Sequence, residues 1–321
     1  MEKIRVGVVG VGYLGQFHAE KYAKMEKVEL VGVVDIDSSR AREIAKRYHT
    51  GSFFHHSDLF NRVQAVSIAV PTPLHHPIGK DFLLQGIDVL IEKPIAHTLE
   101  ETDELIRLAD SRSLILQTGH LERFNGALIA SEERVQHPAF IEAHRLGPFS
   151  GRGIEVDVVI DLMIHDIDIL HYLLKAKVKE IRAVGLSVLT PFADFANARI
   201  EYDNGCVASL TASRVSKEKV RRTRIFQSNG TLTIDYLTQK AFFVRKVTAP
   251  GEREPSETVT EEIPVAKVDA LEAEIHSFLQ SVRDRKKVRV SGWDGRQALQ
   301  VAFQILEKIE EGKGRKKGRH N

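Results

Sequence analysis

The first 120 residues alternate short apolar runs with helix-like segments, and no other feature restricts the fold of this chain so strongly. The runs with the character of strands are residues 4–9, 28–35, 65–70, 88–92 and 114–119. Helical segments lie between them, near 15–25, 38–47, 75–85 and 98–112. Because each run is apolar throughout, both faces of its sheet must be covered by helices. The pattern predicts an α/β fold with a doubly wound parallel sheet.

The chain after residue 120 has another rhythm, in which strand-like runs follow one another directly. These runs are 137–147, 181–189, 197–213, 222–236 and 240–246. Asn-Gly pairs at 204–205 and 229–230 favour the tight turns that join antiparallel strands. Two helices are expected near 267–285 and 294–311. The second half is therefore predicted to be an α+β domain with a large, open and mostly antiparallel sheet.

The charge distribution bears on the class of partner. Residues 312–321 contain five Lys or Arg and no acid, whereas 41 basic and 44 acidic side chains occur in the rest of the chain. The body of the protein therefore lacks a basic surface, and no nucleic-acid partner is predicted. Binding of nucleic acid through the basic tail is the alternative.

Cysteine content and hydropathy indicate the compartment. Cys206 is the only cysteine, which excludes an intramolecular disulfide framework. No uncharged apolar stretch is long enough to span a bilayer, and the N-terminus lacks the pattern of a secretory signal. These features predict a cytoplasmic protein with no membrane partner. Because an open sheet exposes one face, a homodimer or homotetramer is also predicted.

The sequence GVGYLG directly follows the first strand-like run and opens a helix. The first glycine permits a tight turn, the second lets the backbone approach a pyrophosphate, and the third lets the helix pack on the strand. The residues predicted to contact a dinucleotide here are Gly10, Gly12, Tyr13, Leu14 and Gly15. A glycine turn that binds no nucleotide is the alternative.

The second strand supplies the next part of the dinucleotide signature. Asp35 lies 20 residues after Gly15 at the end of that strand. A carboxylate there accepts hydrogen bonds from both ribose hydroxyls and repels a 2′-phosphate. NAD is therefore the predicted cofactor, although Arg40 nearby keeps NADP as an alternative.

Glu92, Lys93 and Pro94 end a buried strand at the edge where open parallel sheets bind ligands. Desolvation at such a place lowers the pKa of a lysine towards values useful in acid–base chemistry. Lys93 is therefore a candidate for catalysis and for substrate binding, and the alternative is a surface lysine at a strand end.

The apolar stretch VVIDLMIHDIDIL at 158–170 carries an imidazole and three carboxylates, and it is predicted to be a helix. On an α-helix Asp161 and His165 share one stripe with Asp168, because their spacings are four and three. Unpaired charge in a core is costly, so such a stripe needs buried partners or a wet cleft. We expect Asp161 and His165 to face a cleft between the domains, and Asp166 and Asp168 to have structural partners.

A metal site is the alternative for the same helix, because His and Asp four residues apart can share a divalent ion. A third ligand would be needed, for which His120 and Glu122 are the candidates. No cysteine pair or spaced histidine pair supports this reading, and no metal is predicted.

Arginine residues precede the same helix and suggest an anionic substrate. Guanidinium forks at Arg145 and Arg152 would suit a pyrophosphate. Arg123 and Asn125 could reach phosphate or sugar hydroxyls. The alternative is that Arg123 belongs to a salt-bridge network with its neighbours His120 and Glu122.

These motifs, together with VPTPLHH at 70–76, occur in an order that resembles the glucose–fructose oxidoreductase, inositol dehydrogenase and MocA family. The resemblance extends to about residue 311. It implies an NAD-dependent dehydrogenase acting on CH–OH groups, with a Rossmann domain joined to an open antiparallel α/β domain. The implied regions are an NAD-binding Rossmann domain at 1–120, a substrate-binding and oligomerisation domain at 121–311, and a disordered basic tail at 312–321.

The resemblance also implies roles for single residues. Lys93, Asp161 and His165 would be catalytic and would also bind the substrate, with His165 as the general acid–base. The nicotinamide side of the cofactor would be lined by Pro71, Thr72, Pro73, His76, Glu92 and Lys93. The family often has a cis peptide bond before the proline of this motif, so Lys93-Pro94 is a candidate for one.

Within the family, GHLERFN together with DLMIHDID resembles the branch of UDP-N-acetylglucosamine 3-dehydrogenases. That branch implies oxidation of a secondary hydroxyl at C3 of a nucleotide sugar, with Arg123, Asn125 and Arg152 at the substrate. Gly126 stands where RFNPA would be expected, and it is predicted to loosen that turn. A dehydrogenase of a free sugar or polyol, and a non-catalytic ligand sensor that retains NAD, are the alternatives.

Overall fold

The structure is a computed structural model that describes residues 3–151, 153–247 and 257–317, and the chain forms two compact units. The first unit comprises the residues up to Leu121 together with Asp269–Gln297. The second comprises Glu122–Val268 and the residues from Ala298 onward.

The first unit contains a six-stranded sheet in which all neighbouring strands are parallel. Its strands are β1 (Ile4–Val9), β2 (Val28–Val34), β3 (Gly51–Phe53), β4 (Ala65–Ile68), β5 (Asp88–Glu92) and β6 (Leu116–Gly119). Their order is β3-β2-β1-β4-β5-β6, which is the doubly wound arrangement and confirms the predicted fold. Only β3 was not predicted, because an edge strand of three residues carries no apolar run.

Four helices lie between these strands, and capping residues mark where two of them begin. They are α1 (Gly15–Lys24), α2 (Ser38–Tyr48), α3 (His75–Leu84) and α4 (Leu99–Ser111). The Asp37 carboxylate accepts hydrogen bonds from two backbone amides of the first turn of α2. Thr98 and Glu101 form a capping box at the start of α4.

Helix α7 (Ala270–Asp284) packs in the first unit although it follows the second sheet in the sequence. Ile275 and Phe278 are fully buried and share a hydrophobic core with Val8 and Tyr22. The predicted division at residue 120 does not include this helix in the first unit. Its position depends on packing between segments more than 200 residues apart, which no local sequence pattern indicates.

The second unit contains an eight-stranded sheet. Its strands are β7 (Phe140–Leu146), β8 (Val178–Leu186), β9 (Phe195–Tyr202), β10 (Val207–Ser213), β11 (Val220–Gln227), β12 (Gly230–Asp235), β13 (Lys240–Val247) and β14 (Glu257–Ile263). Their order is β14-β13-β12-β11-β7-β10-β9-β8. Only the pair of β7 and β10 is parallel. The prediction of a mostly antiparallel sheet is confirmed.

One face of this sheet packs against helices, and alternate residues of each strand are therefore buried. The helices are α5 (Gly126–Ser131), α6 (Ile164–Leu174) and the second part of α8 (Gly292–Lys317). Ala196, Ala198 and Ile200 of β9 are fully buried in this core, whereas Val184 and Leu186 of β8 lie on the other face and are more than half exposed. No helix within the described ranges has the length and apolar composition of a membrane span.

Cys206 is 1% exposed, and its burial raises the pKa of the thiol to about 11. Because the thiolate is the reactive species, we expect Ellman's reagent to leave the native protein unlabelled and to label one thiol per chain in denaturant. The Cys206→Ser variant is the control for non-specific colour. Native labelling at the rate of glutathione would contradict the burial of this side chain.

Candidate cofactor and substrate sites

The glycine turn between β1 and α1 has no space for side chains at two of its three glycines. A Cβ atom added to Gly10, whose φ is +82°, would lie 2.7 Å from the carbonyl oxygen of Ala69. A Cβ atom on Gly15 would lie 1.7 Å from the carbonyl oxygen of Gly10. At Gly12 the nearest atom is 4.0 Å away, at Arg40. A pyrophosphate site requires three features, and this turn has them. They are a tight turn at Gly10, close packing of helix on strand at Gly15 and an open backbone at Gly12.

Asp35 lies immediately after β2 and is 7% exposed. Its Oδ2 accepts a hydrogen bond from the Val11 amide at 3.0 Å, and its Oδ1 accepts one from the Asp37 amide at 2.9 Å. Arg40 Nη1 lies 3.5 Å from Oδ1 and 3.4 Å from Oδ2 of the same carboxylate, and the Arg40 side chain is 46% exposed. The carboxylate is thus held beside the glycine turn, and it keeps lone pairs for further donors.

Glu92 at the end of β5 pairs with a histidine that the sequence analysis did not single out. Glu92 Oε1 lies 2.9 Å from Nε2 of His18 on α1, and both side chains are buried. A Cβ atom on Gly119 would lie 2.9 Å from the Glu92 carboxylate, so this neighbour must be small. Lys93 follows and is half-buried, and the Lys93-Pro94 peptide bond is cis, as predicted.

The loop after β4 carries the residues predicted at the nicotinamide. Pro71 and Pro73 are exposed, and Thr72 between them is half-buried. His76, predicted to act with them, places its Nε2 2.7 Å from Glu104 Oε2 on α4. This contact uses one ring nitrogen, and the role of His76 at the nicotinamide stays a prediction.

His75 is the histidine that contacts this loop. Its ring is 1% exposed, and its two nitrogens lie 2.8 Å from the carbonyl oxygens of Val70 and Pro94. Carbonyl oxygens only accept hydrogen bonds, so a neutral ring donates to one of them at a time. His75 therefore links the segment that follows β4 to the segment that follows β5.

In the second unit, the predicted helix begins with a π-helical turn at Val159–Met163 before α6. The prediction of one regular α-helix is wrong there, because a π turn places residues at different angles around the axis. Asp161 and His165 are half-buried, whereas Asp166 and Asp168 are buried. The structure thus separates the two pairs of side chains by environment.

A loop before the π turn closely approaches the Asp161 carboxylate. A Cβ atom on Gly153, whose φ is +64°, would lie 2.6 Å from Asp161 Oδ2. The buried Arg214 guanidinium donates hydrogen bonds to the carbonyl oxygens of Gly153 and Val156. Arg152, predicted at the substrate, lies outside the described residues.

Two arginines considered for the substrate are buried and paired with carboxylates. Arg123 donates to both oxygens of Asp168, at 2.7 and 2.9 Å, and each residue is 1% exposed. Arg145 donates to both oxygens of Asp166, at 3.0 and 2.9 Å, and to Glu122 at 2.8 Å. The structural roles predicted for Asp166 and Asp168 are confirmed, because a buried guanidinium must be paired.

Asn125 and Gly126 are also packing residues in the structure. The Asn125 side chain is 4% exposed, donates to the Tyr236 carbonyl at 3.1 Å and accepts from the Ala127 amide of α5 at 3.1 Å. A Cβ atom on Gly126 would lie 2.3 Å from the Ala266 carbonyl oxygen. The prediction that Gly126 loosens the turn is wrong, since the absent side chain allows a closer approach of another segment.

No group of three His, Cys, Asp or Glu side chains in the described part of the chain is arranged to hold a metal ion. Of the two candidates for a third metal ligand, His120 and Glu122, the second is bonded to Arg145.

Comparison with known proteins gives matches across most of the chain. Residues 4–120 match the family model described as "Oxidoreductase family, NAD-binding Rossmann fold". Residues 144–233 match that described as "GFO/IDH/MocA C-terminal domain".

Two curated relatives differ in how much of the chain they cover. UDP-N-acetylglucosamine 3-dehydrogenase of Acidithiobacillus ferrooxidans is 38% identical over 97% of this chain and 98% of its own. Inositol 2-dehydrogenase of Rubrobacter xylanophilus is 31% identical over 58% of this chain and 56% of its own.

Solved structures give the same picture. The structure of the Acidithiobacillus ferrooxidans enzyme has a TM-score of 0.90 at 37% identity, covering 97% of this chain and 99% of that one. The scyllo-inositol dehydrogenase of Lactobacillus casei, with bound NAD(H) and scyllo-inositol, has a TM-score of 0.80 at 20% identity, covering 97% and 98%. The second likeness shows the fold alone.

Proposed function

Since the chain belongs to the GFO/IDH/MocA family of NAD-binding oxidoreductases, we propose that it oxidises the C3 hydroxyl of a nucleotide sugar such as UDP-N-acetylglucosamine. The chain is an NAD-dependent dehydrogenase, as predicted, and the proposal concerns its substrate. The observation that carries it is the 38% identity to a UDP-N-acetylglucosamine 3-dehydrogenase over nearly the full length of both chains. The inositol dehydrogenase at 31% identity matches little more than half of this chain.

The first unit fits the cofactor, because its glycine turn has a cradle that a Cβ atom would fill. When bound, NAD accepts the hydride released from the carbinol carbon. Asp35 would hold the ribose hydroxyls. Glu92, fixed by His18, and the loop at Pro71–Pro73 would lie along the nicotinamide.

For the substrate we assign three residues. His165 would take the proton of the substrate hydroxyl, because an imidazole changes charge near neutral pH. Lys93 would stabilise the alkoxide that develops as the hydride leaves. Asp161, held against the loop at Gly153, would orient the sugar.

A substrate panel tests the proposal. Purified protein with NAD is offered UDP-N-acetylglucosamine, UDP-glucose, free N-acetylglucosamine and myo-inositol while NADH absorbance is followed. We expect kcat/KM for UDP-N-acetylglucosamine to exceed that for the free sugars by at least about 100-fold, which corresponds to about 2.7 kcal/mol of differential binding. A product two mass units lighter, with a ketone carbon at C3 by NMR, would identify the position.

Other outcomes of the panel select the alternatives. Efficient turnover of inositol or of the free sugar would replace the proposal with a polyol or sugar dehydrogenase. NAD and ligand binding without any NADH would favour a ligand sensor.

Replacing Asp35 by alanine should weaken NAD binding and relax discrimination against NADP. Hydrogen bonds to a charged group contribute about 1.5–3 kcal/mol, so the KM for NAD should rise by roughly 10- to 100-fold. Glu43→Ala, at an exposed acid of α2, is the matched control. An unchanged ratio of kcat/KM for NAD and NADP would remove the role assigned to Asp35.

We further propose that the chain forms a homodimer or homotetramer. The exposed apolar side chains Val184, Leu186 and Val188 support this proposal, because contact between subunits would bury them. Sedimentation of the purified protein tests it, and a monomer at micromolar concentration would contradict it. Location in the cytoplasm stays a prediction from the sequence.

A further inference from the structure

Arg221 is an arginine that the sequence analysis did not select, and it lies at the start of β11 directly opposite Arg145 on β7. Thr223 and Ile225 share its strand face and are buried in the helix-covered side of the sheet. Arg222 and Arg224 point to the other face and are exposed. Arg221 therefore lies at the edge of the covered face.

The ion pairs on this face leave Arg221 with most of its donors unused. Arg145 is 2% exposed and makes three bonds of 3.0 Å or less to Asp166 and Glu122. Arg221 Nη1 lies 3.4 Å from Glu122 Oε1, an oxygen that already accepts from Arg145 at 2.8 Å. The Arg221 side chain is 38% exposed. One long contact to a shared oxygen leaves most of the five N–H donors of the fork available.

The surroundings of this guanidinium connect it to the candidate substrate site. Arg221 contacts Glu122, which also binds Arg145. Arg145 in turn binds Asp166, the residue that directly follows the proposed base His165 on α6. Burial and the neighbouring Arg145 lower the pKa of Arg221, and the side chain nevertheless keeps its charge at neutral pH. A cation that is partly desolvated and lies beside another cation gains more from an incoming anion than a fully solvated one does.

We propose that Arg221 binds the anionic part of the substrate, the diphosphate that joins sugar and nucleoside, and so distinguishes nucleotide sugars from free sugars. This inference rests on the proposed function. Planar guanidinium forks bind phosphate oxygens in a bidentate manner, which suits a diphosphate. Arg123 and Arg145, the arginines first considered for the substrate, are buried in ion pairs, whereas the Arg221 side chain is 38% exposed.

The test compares Arg221→Gln and Arg221→Lys with Arg222→Gln, an adjacent arginine on the opposite face that pairs with Asp235. Glu122 keeps its bond to Arg145 in all three variants, and thermal unfolding with the KM for NAD verifies intact folding. We expect Arg221→Gln to raise the KM for UDP-N-acetylglucosamine roughly 10- to 100-fold, with kcat changed less than about threefold. The KM of Arg221→Lys should lie between those of the wild type and Arg221→Gln, because an ammonium keeps the charge but not the bidentate geometry of a guanidinium.

Calorimetric binding of UDP alone separates the two proposals. Loss of UDP affinity in Arg221→Gln but not in Arg222→Gln supports the inference even if the wild type oxidises no nucleotide sugar. Turnover of UDP-N-acetylglucosamine with an unchanged KM in Arg221→Gln overturns the inference and leaves the proposed function standing. Absence of both turnover and UDP binding in the wild type overturns both.

Discussion

Alanine at His165 or Lys93 is expected to lower kcat by roughly 10²- to 10⁴-fold while the affinity for NAD stays close to that of the wild type. His165 is assigned the proton of the substrate hydroxyl, and Lys93 the charge of the alkoxide. Neither task contributes to binding the dinucleotide at the glycine turn. The effect should therefore appear in single-turnover formation of NADH and not in calorimetric titration with NAD.

Chemical rescue distinguishes the two roles. Added imidazole should restore part of the rate of His165→Ala but not that of Lys93→Ala, because only the former lacks a proton acceptor. Two variants are matched controls. His97→Ala replaces an exposed histidine that follows β5, and Lys80→Ala replaces a lysine of α3 that pairs with Glu104. Turnover near that of the wild type in both His165→Ala and Lys93→Ala would refute the assignment of these residues.

Replacing Arg145 by methionine should destabilise the protein by about 3–5 kcal/mol. The guanidinium is 2% exposed and bonds two buried carboxylates, Asp166 and Glu122, which would lose their shared cation. A large loss of stability follows from uncompensated buried charge rather than from loss of packing, since methionine has a similar apolar length. Chemical denaturation followed by circular dichroism measures the free energy of unfolding.

The same variant should show a characteristic pH response. Burial raises the pKa of Asp166 above its ordinary value, and loss of Arg145 would raise it further. A carboxyl whose pKa is raised on folding favours the folded state when protonated, so the deficit of the variant should shrink as pH falls below neutral. Adding Asp166→Asn and Glu122→Gln should recover part of the stability.

Arg182→Met is the surface control for this experiment, because Arg182 pairs with Glu180 and is mostly exposed. Its unfolding midpoint should match that of the wild type. Equal midpoints for Arg145→Met and the wild type would contradict a structural role for the buried network.

Prediction succeeded where the signal is local. The glycine turn at 10–15 and the strand that ends before Asp35 are read from neighbouring residues, and the structure places the Asp35 carboxylate on the amide of Val11 in that turn. The apolar strand ending in Glu92 is predicted from one short run, and the cis bond at Lys93-Pro94 is what the family resemblance implies.

The sequence did not indicate which partners a polar side chain has when those partners are distant in the chain. Arg123 and Arg145 were considered for the substrate, whereas the structure buries them against Asp168 and Asp166. The residue types are the same in both roles, and the partners lie 45 and 21 residues away. The pair of His18 and Glu92 was not predicted for the same reason, because the two residues are 74 positions apart.

The sequence by itself determined the alternating pattern, the parallel and antiparallel sheets, the family and the cofactor, because periodicity and short motifs act within a few residues. Only the tertiary structure decided which polar side chains are buried and which are partly exposed, as Arg145 and Arg221 are on adjacent strands. It also decided the return of α7 to the first unit and the π turn before α6. These features depend on segments that meet only in the folded chain, and no local pattern encodes their distances.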